Sequence, residues 1–292
     1  MTALNASRGL AALVLVALLA GCDAAQDAPA DAMLDTEDAA QVVAQALALD
    51  GGGVLEDAAA AVAIAGRPTA SLNPPDGHPP FPTRPGCAPT RTFDASTFVY
   101  TLTSDCSRTS GRVSASFQRV ATLRFLGADG QPQAEREGAT ALDFDILSGT
   151  SSLVMRRSTH RVTGLTADFA VTTLDTDLAT VNGTTTRATA DSLGGPRGSR
   201  TSTSTLALTL IDVRGPRGVE DNWHRAVSGT ITGTYRATVT TTRADGTATT
   251  REVSRDIAIT LPRGGSDLAE IRLDGRLFHA DRRTGTVRET EG

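Results

Sequence analysis

Between Arg112 and Leu147 the chain alternates. Val113, Ala115, Phe117, Ala121, Leu123 and Phe125 fall on one parity; Arg112, Ser114, Ser116, Gln118, Thr122 and Arg124 fall on the other. A period of two means a β-strand with one buried face, because successive side chains point to opposite sides of the sheet. Gly127, Ala128, Asp129 and Gly130 supply turn chemistry, and the chain returns through Leu142, Phe144 and Ile146 alternating with Asp143 and Asp145. A second stretch of the same design runs from Ser228 to Leu261. The sequence therefore predicts an antiparallel sheet built largely from long hairpins.

Other strands follow the same rule. Phe98, Tyr100 and Leu102 alternate with Thr97, Val99 and Thr101; Leu165, Ala167, Phe169 and Val171 share a parity; so do Leu206, Leu208 and Leu210. Val227, Ile231, Tyr235, Ala237 and Val239 point one way with Gly229 and Gly233 on the same side, where glycines permit sharp bending or close approach. Val253, Ile257, Ile259 and Leu261 complete the second hairpin, and Asp274-Gly275 predicts a turn between Ile271 and Phe278. The pair Asn182-Gly183 predicts another tight hairpin turn. Gly195-Pro196-Arg197-Gly198 and Gly215-Pro216-Arg217-Gly218 read as turns. Ser110-Gly111 leading to Asp129-Gly130, and Ser228-Gly229 leading to Asp245-Gly246, suggest that the two long hairpins are a pseudo-repeat. Arg119 and Arg255 fall on the apolar parity of their strands, which points to a partly wet cavity or to a bulge.

Upstream the period changes. Val42, Val43, Ala46, Leu47 and Leu49 approach a 3.6-residue spacing, opened by Thr36, Glu37 and Asp38 and stopped by Gly51, Gly52 and Gly53. An Ala-rich helix over Leu55 to Ile64 follows, giving a short helical hairpin over 36–66 expected to cover the apolar sheet surface. Residues 67–90 form a proline-dense connector, extended and stiff. The β-domain is expected over 91–288.

The first residues read as an address. Arg8 gives a short positive segment, Leu10 to Ala20 is apolar and of signal-peptide length, and the run ends in Leu19-Ala20-Gly21-Cys22. Those four residues resemble the lipobox of bacterial lipoproteins. The resemblance implies a signal peptide over 1–21, thioether diacylation of Cys22, cleavage before it and, in many Gram-negative species, acylation of the new terminus. Two or three acyl chains anchor stably where one would not. It also implies an extracytoplasmic, envelope location on the inner or the outer membrane. Residues 22–35, rich in Ala and Asp, read as a tether. The helix pair and the β-region after it are similar to uncharacterised β-rich envelope lipoproteins, a likeness that carries no activity.

Cys87 and Cys106 remain, and an even pair outside the cytoplasm is expected to form a disulfide. Its loop of roughly twenty residues is worth about 3 kcal/mol in the chain-entropy picture.

Composition limits the function classes. The net charge is -5, the chain contains no Lys, and no basic stripe is present, which argues against a nucleic-acid partner. His78, His160, His224 and His279 are scattered without metal-ligand spacing. Asp175, Asp177 and Asn182 could supply oxygen ligands for calcium, but the loop motif is missing and turn chemistry is the simpler reading. No Gly-x-Ser-x-Gly elbow occurs, Ser-Lys catalysis is excluded, and Asp143 and Asp145 belong to a wet strand face. Glu220, Asp221, Asn222, Trp223 and His224 form the most varied polar-aromatic cluster, so Trp223 and His224 are the expected ligand contacts. No cofactor or metal is expected.

The fold expected is mainly β, a strongly curved antiparallel sheet or open barrel preceded by a helical hairpin. The function expected is a non-enzymatic structural or binding role in the cell envelope, with a protein or apolar small molecule as partner. The alternatives are a carrier enclosing a lipid or other apolar ligand, and a hydrolase without a recognisable motif. A carrier requires an apolar cavity or groove, a structural protein a filled interior, a hydrolase convergent His and carboxylate groups.

Overall fold

The computed structural model describes residues 27–48, 52–66, 90–111, 113–195, 198–217, 226–264 and 266–289. Two helices come first, α1 (Asp27–Leu47) and α2 (Val54–Gly66). Thirteen strands follow: β1 (Thr90–Asp94), β2 (Val99–Ser110), β3 (Val113–Leu126), β4 (Pro132–Gln133), β5 (Ala141–Val154), β6 (Ser158–Thr172), β7 (Leu178–Gly195), β8 (Gly198–Pro216), β9 (Ser228–Arg243), β10 (Ala248–Leu261), β11 (Leu268–Leu273), β12 (Arg276–Asp281) and β13 (Val287–Glu289). All belong to one antiparallel meander in which each strand pairs with the next, except that the two-residue β4 pairs only with β3. The sheet does not close, since β1 and β13 lie at its two ends.

Its curvature follows from what the helices touch on one face. Arg119 of β3 reaches Asp57 of α2 and Arg187 of β7 reaches Gly52 just before it, while α1 packs against β11, β12 and β13. A flat sheet from β3 to β13 would span about 43 Å at strand spacing, whereas two helices side by side cover about 20 Å. The sheet must wrap around the helices. Bulges bend it: register shifts interrupt β3–β5 pairing at Val120/Ala121, β6–β7 at Val162/Gly164, β7–β8 at Val181/Gly183 and β8–β9 at Ile211/Arg214. At Gly233 a Cβ would collide with the Ala207 carbonyl and the Leu208 side chain, so glycine lets β8 and β9 approach closely.

The concave face has two halves. Toward one rim, called proximal here, lie Phe125, Phe144, Phe169, Val181, Leu210, Ile231, Ile259, Ile271 and Phe278, all essentially inaccessible. The Phe144 and Phe169 rings stack at 6.5 Å. The other, distal rim carries the β2–β3, β5–β6, β7–β8 and β9–β10 turns, and inward positions near it are polar: Ser104, Arg119, Thr185, Arg187, Thr189 and Ser204.

α2 is buried nearly all round, with Val54, Leu55, Asp57, Ala58, Ala60, Ala61, Val62, Ile64 and Ala65 covered. A helix apolar on every side needs surroundings on every side, and its alanines keep it slim enough to lie inside the sheet. Arg136 holds its end, donating from Nε to Ala65 O at 2.5 Å. α1 is pinned by Gln41, whose Nε2 donates to Gly285 O at 2.8 Å, and by Arg200–Asp38 at 2.6 Å. Arg282, fully buried, donates Nε to Leu268 O, one Nη to Val227 O and the other to Pro262 O, at 2.8–3.1 Å. Burial lowers its guanidinium pKa to about 10.

Several expectations shift. The first helix begins at Asp27, inside the segment read as tether. Phe98 lies in the β1–β2 turn, with φ of +56°, rather than in the strand. Asn182-Gly183 is no hairpin turn: it lies within β7, where Gly183 has φ +149° and a Cβ would strike the Asp168 carbonyl. The Asn-Gly signal here marks a bulge, and Asn182 Oδ1 accepts the Asp212 N–H across it at 2.8 Å. The two long hairpins run in opposite directions: β3–β5 turns at the proximal rim and β9–β10 at the distal one. The similarity between them is therefore one of alternation and turn chemistry, not of position.

Candidate functional site

A groove of about 520 Å³ opens at the distal rim, across β2, β3, β5, β6 and β7 beneath the α1–α2 link. Its walls include Phe117, Leu153, Val162 and Leu165, and its floor includes Arg119 and Arg187. The volume is in the range of small-molecule sites.

Strand parity places these groups. Arg119 stands two residues before Ala121 on the inward side of β3, and Arg187 lies between Thr185 and Thr189 on the inward side of β7. Arg119 is 6% exposed and donates through Nη1 to Asp57 Oδ1. Its Nε has no hydrogen-bond partner, and the guanidinium carbon sits 4.9 Å from the Phe117 ring centroid. Arg187, 9% exposed, donates through Nη1 to Gly52 O at 2.9 Å. The Gly52 N–H is itself held by Glu56 Oε2 at 2.7 Å.

Three buried charges thus meet under the groove: one carboxylate and two guanidinium groups. Burial raises the Asp57 carboxyl to about 6, outweighing the attraction of Arg119. Burial also lowers the Arg187 pKa, with Asp57 working the other way and Arg119 adding to the depression. The arrangement sets two buried guanidinium groups against one buried carboxylate, with Asp191 and Glu56 adding weaker attraction on Arg187, in a place that disfavours charge.

At the rim, His160 Nδ1 and Asp191 Oδ1 lie 2.5 Å apart, facing each other across the β6–β7 pair. Asp191 also accepts from Thr189 Oγ1 at 3.3 Å, and Thr189 is bonded to Ser204 at 2.8 Å. This His and carboxylate do converge in a cleft, but as part of a cross-strand polar network. Arg255, the second arginine that the sequence places on an apolar parity, is on β10, paired with Asp274 at 2.6 Å.

Trp223 and His224, the expected ligand contacts, lie outside the described residues, as do Cys22, Cys87, His78 and the 67–89 connector. Cys106 is buried in β2 and lines the groove. Asp175 and Asp177 lie in the β6–β7 turn, while Asn182 is in β7, so the three candidate oxygen donors are not one loop. Among the described residues no group of three or more His, Cys, Asp or Glu side chains is placed to hold a metal. Asp143 and Asp145 lie on the convex face, bonded to Arg124 at 2.9 Å and Thr122 at 3.4 Å. Sequence reading singled out Arg119 by its parity. It passed over Arg187, whose inward neighbours are threonines.

No protein family, curated protein or solved structure matches the chain.

Proposed function

We propose that this chain is a lipid-anchored, non-enzymatic binding protein of the bacterial cell envelope, held by acyl chains on Cys22 and taking its ligand in the distal groove. The observation that carries the binding reading is how the concave face is divided. α1 and α2 occupy the apolar half, and the space left over is the groove with its apolar walls and two buried arginines. An interior carrier would need α2 to leave its place, against the burial of the whole helix and the Asp57–Arg119 contact. His160 engages Asp191 in a cross-strand pair, which supports a structural role for it rather than a hydrolytic one.

The anchor rests on Leu19-Ala20-Gly21-Cys22. Cys22→Ser should move the protein from the membrane to the soluble fraction of lysed cells; unchanged membrane association would remove the anchor. A Cys87–Cys106 disulfide belongs to the same extracytoplasmic reading, supported by a Cys106 that is buried in β2. Maleimide labelling of the denatured Cys22→Ser protein should require prior reduction; labelling without it would exclude the bridge.

A further inference from the structure

We infer that the distal groove selects amphiphilic oxyanions, molecules with one carboxylate or phosphate head and an aliphatic tail, with Arg119 and Arg187 as the head site. The inference rests on the groove being the binding site and adds the ligand class.

Three observations carry it. Two guanidinium groups more than nine-tenths buried line one groove, where each would ordinarily be matched by an anion. Among the described residues one buried carboxylate, Asp57, is available to them, and it is bonded to Arg119. Arg119 Nε is buried without a partner, and Arg187 spends only Nη1 on a backbone carbonyl, so unspent guanidinium donors stand beneath the groove. A guanidinium fork suits an oxyanion, which would accept charge-assisted hydrogen bonds in a water-poor site.

The other charged groups act more weakly than Asp57: Glu56, which accepts from the Gly52 amide, and Asp191, hydrogen-bonded to His160, add a smaller attraction on Arg187, while Arg108 at the mouth adds positive charge. Phe117, Leu153, Val162 and Leu165 form apolar walls along which a tail can lie. A doubly hydrophilic anion would leave those walls wet, and a neutral lipid would leave the arginines unmatched. The amphiphilic anion satisfies both.

The test uses the mature chain carrying Cys22→Ser and three probes with one tail: decanoate, decyl phosphate and decanol. Isothermal titration below micellar concentrations should give saturable binding of one or both anions, at least tenfold tighter than decanol. A preference between decanoate and decyl phosphate then identifies the head as carboxylate or phosphate. Acetate and inorganic phosphate, heads without tails, should bind at least tenfold more weakly than the matching amphiphile. Arg187→Gln should reduce the anion preference over decanol at least tenfold. Leu153→Trp, a partly exposed position, should block the groove without touching the arginines. Decanol binding as tightly as the anions, with Leu153→Trp blocking both, would overturn the charge selection while leaving the groove a binding site. Absence of saturable anion binding, or an unchanged preference in folded Arg187→Gln, would overturn the inference outright.

Discussion

Arg282 shows what one polar side chain does inside this sheet. It has no exposed surface and gives hydrogen bonds to the carbonyls of Val227 before β9, Pro262 after β10 and Leu268 at the start of β11. Arg282→Met keeps much of the volume but leaves three carbonyls without that donor. Unmet buried acceptors cost about 1–3 kcal/mol each before relaxation and water entry, and we expect a loss of roughly 3–5 kcal/mol in urea unfolding; a change under 1 kcal/mol would contradict this role. Asp57 acts through pH. Its folded pKa of about 6 lies above its ordinary 3.8, because burial outweighs Arg119. A raised carboxyl makes the native state bind more protons between those values, so its contribution to stability is present at low pH and lost as pH rises through 6. Relative to Asp57→Asn, the wild-type protein should therefore gain about 1 kcal/mol of stability from pH 7 to pH 5. A relative loss over the same window would mean that the ion pair, not burial, governs the site.

Elements differ in how plainly their sequences announced them. β3 and β5 could be read directly, since Ala121, Leu123 and Phe125 alternate without interruption and Leu142, Phe144 and Ile146 answer them across the pair. α2 was equally plain. Its burial on all sides could not be deduced from its alanines alone, because it depends on a sheet assembled from β3 through β13. Asn182-Gly183 misled because its local chemistry suits a turn, while tertiary pairing to Ala170 and Phe169 makes it strand. The groove was hidden for the same reason: Phe117, Leu153, Val162 and Arg187 come from four strands, and only the inward parity of Arg119 hinted at it. Gly233 reads as a place of sharp bending or close approach, and the close approach of β8 is what it provides. Gly233→Val would force β8 away from β9 at Ala207, and the expected cost is several kcal/mol, as for overpacking combined with lost ladder bonds. Thermal unfolding within 2 °C of wild type would show that the close approach is not needed.

The whole molecule is an open antiparallel sheet coiled around its own amino-terminal helices. A sheet of this length left flat would expose one apolar face and two long edges; curling around α1 and α2 covers the face with chain the protein already carries. The space the helices do not fill is the distal groove, and the account stands on that groove being occupied in the cell. Native mass spectrometry of the mature chain carrying Cys22→Ser, purified from a bacterial periplasm without detergent, addresses this directly, with Leu153→Trp prepared alongside. The account predicts a bound mass on the first protein that denaturation releases and that is missing from the second. A clean apo mass on both, or a bound mass that Leu153→Trp leaves in place, would contradict it.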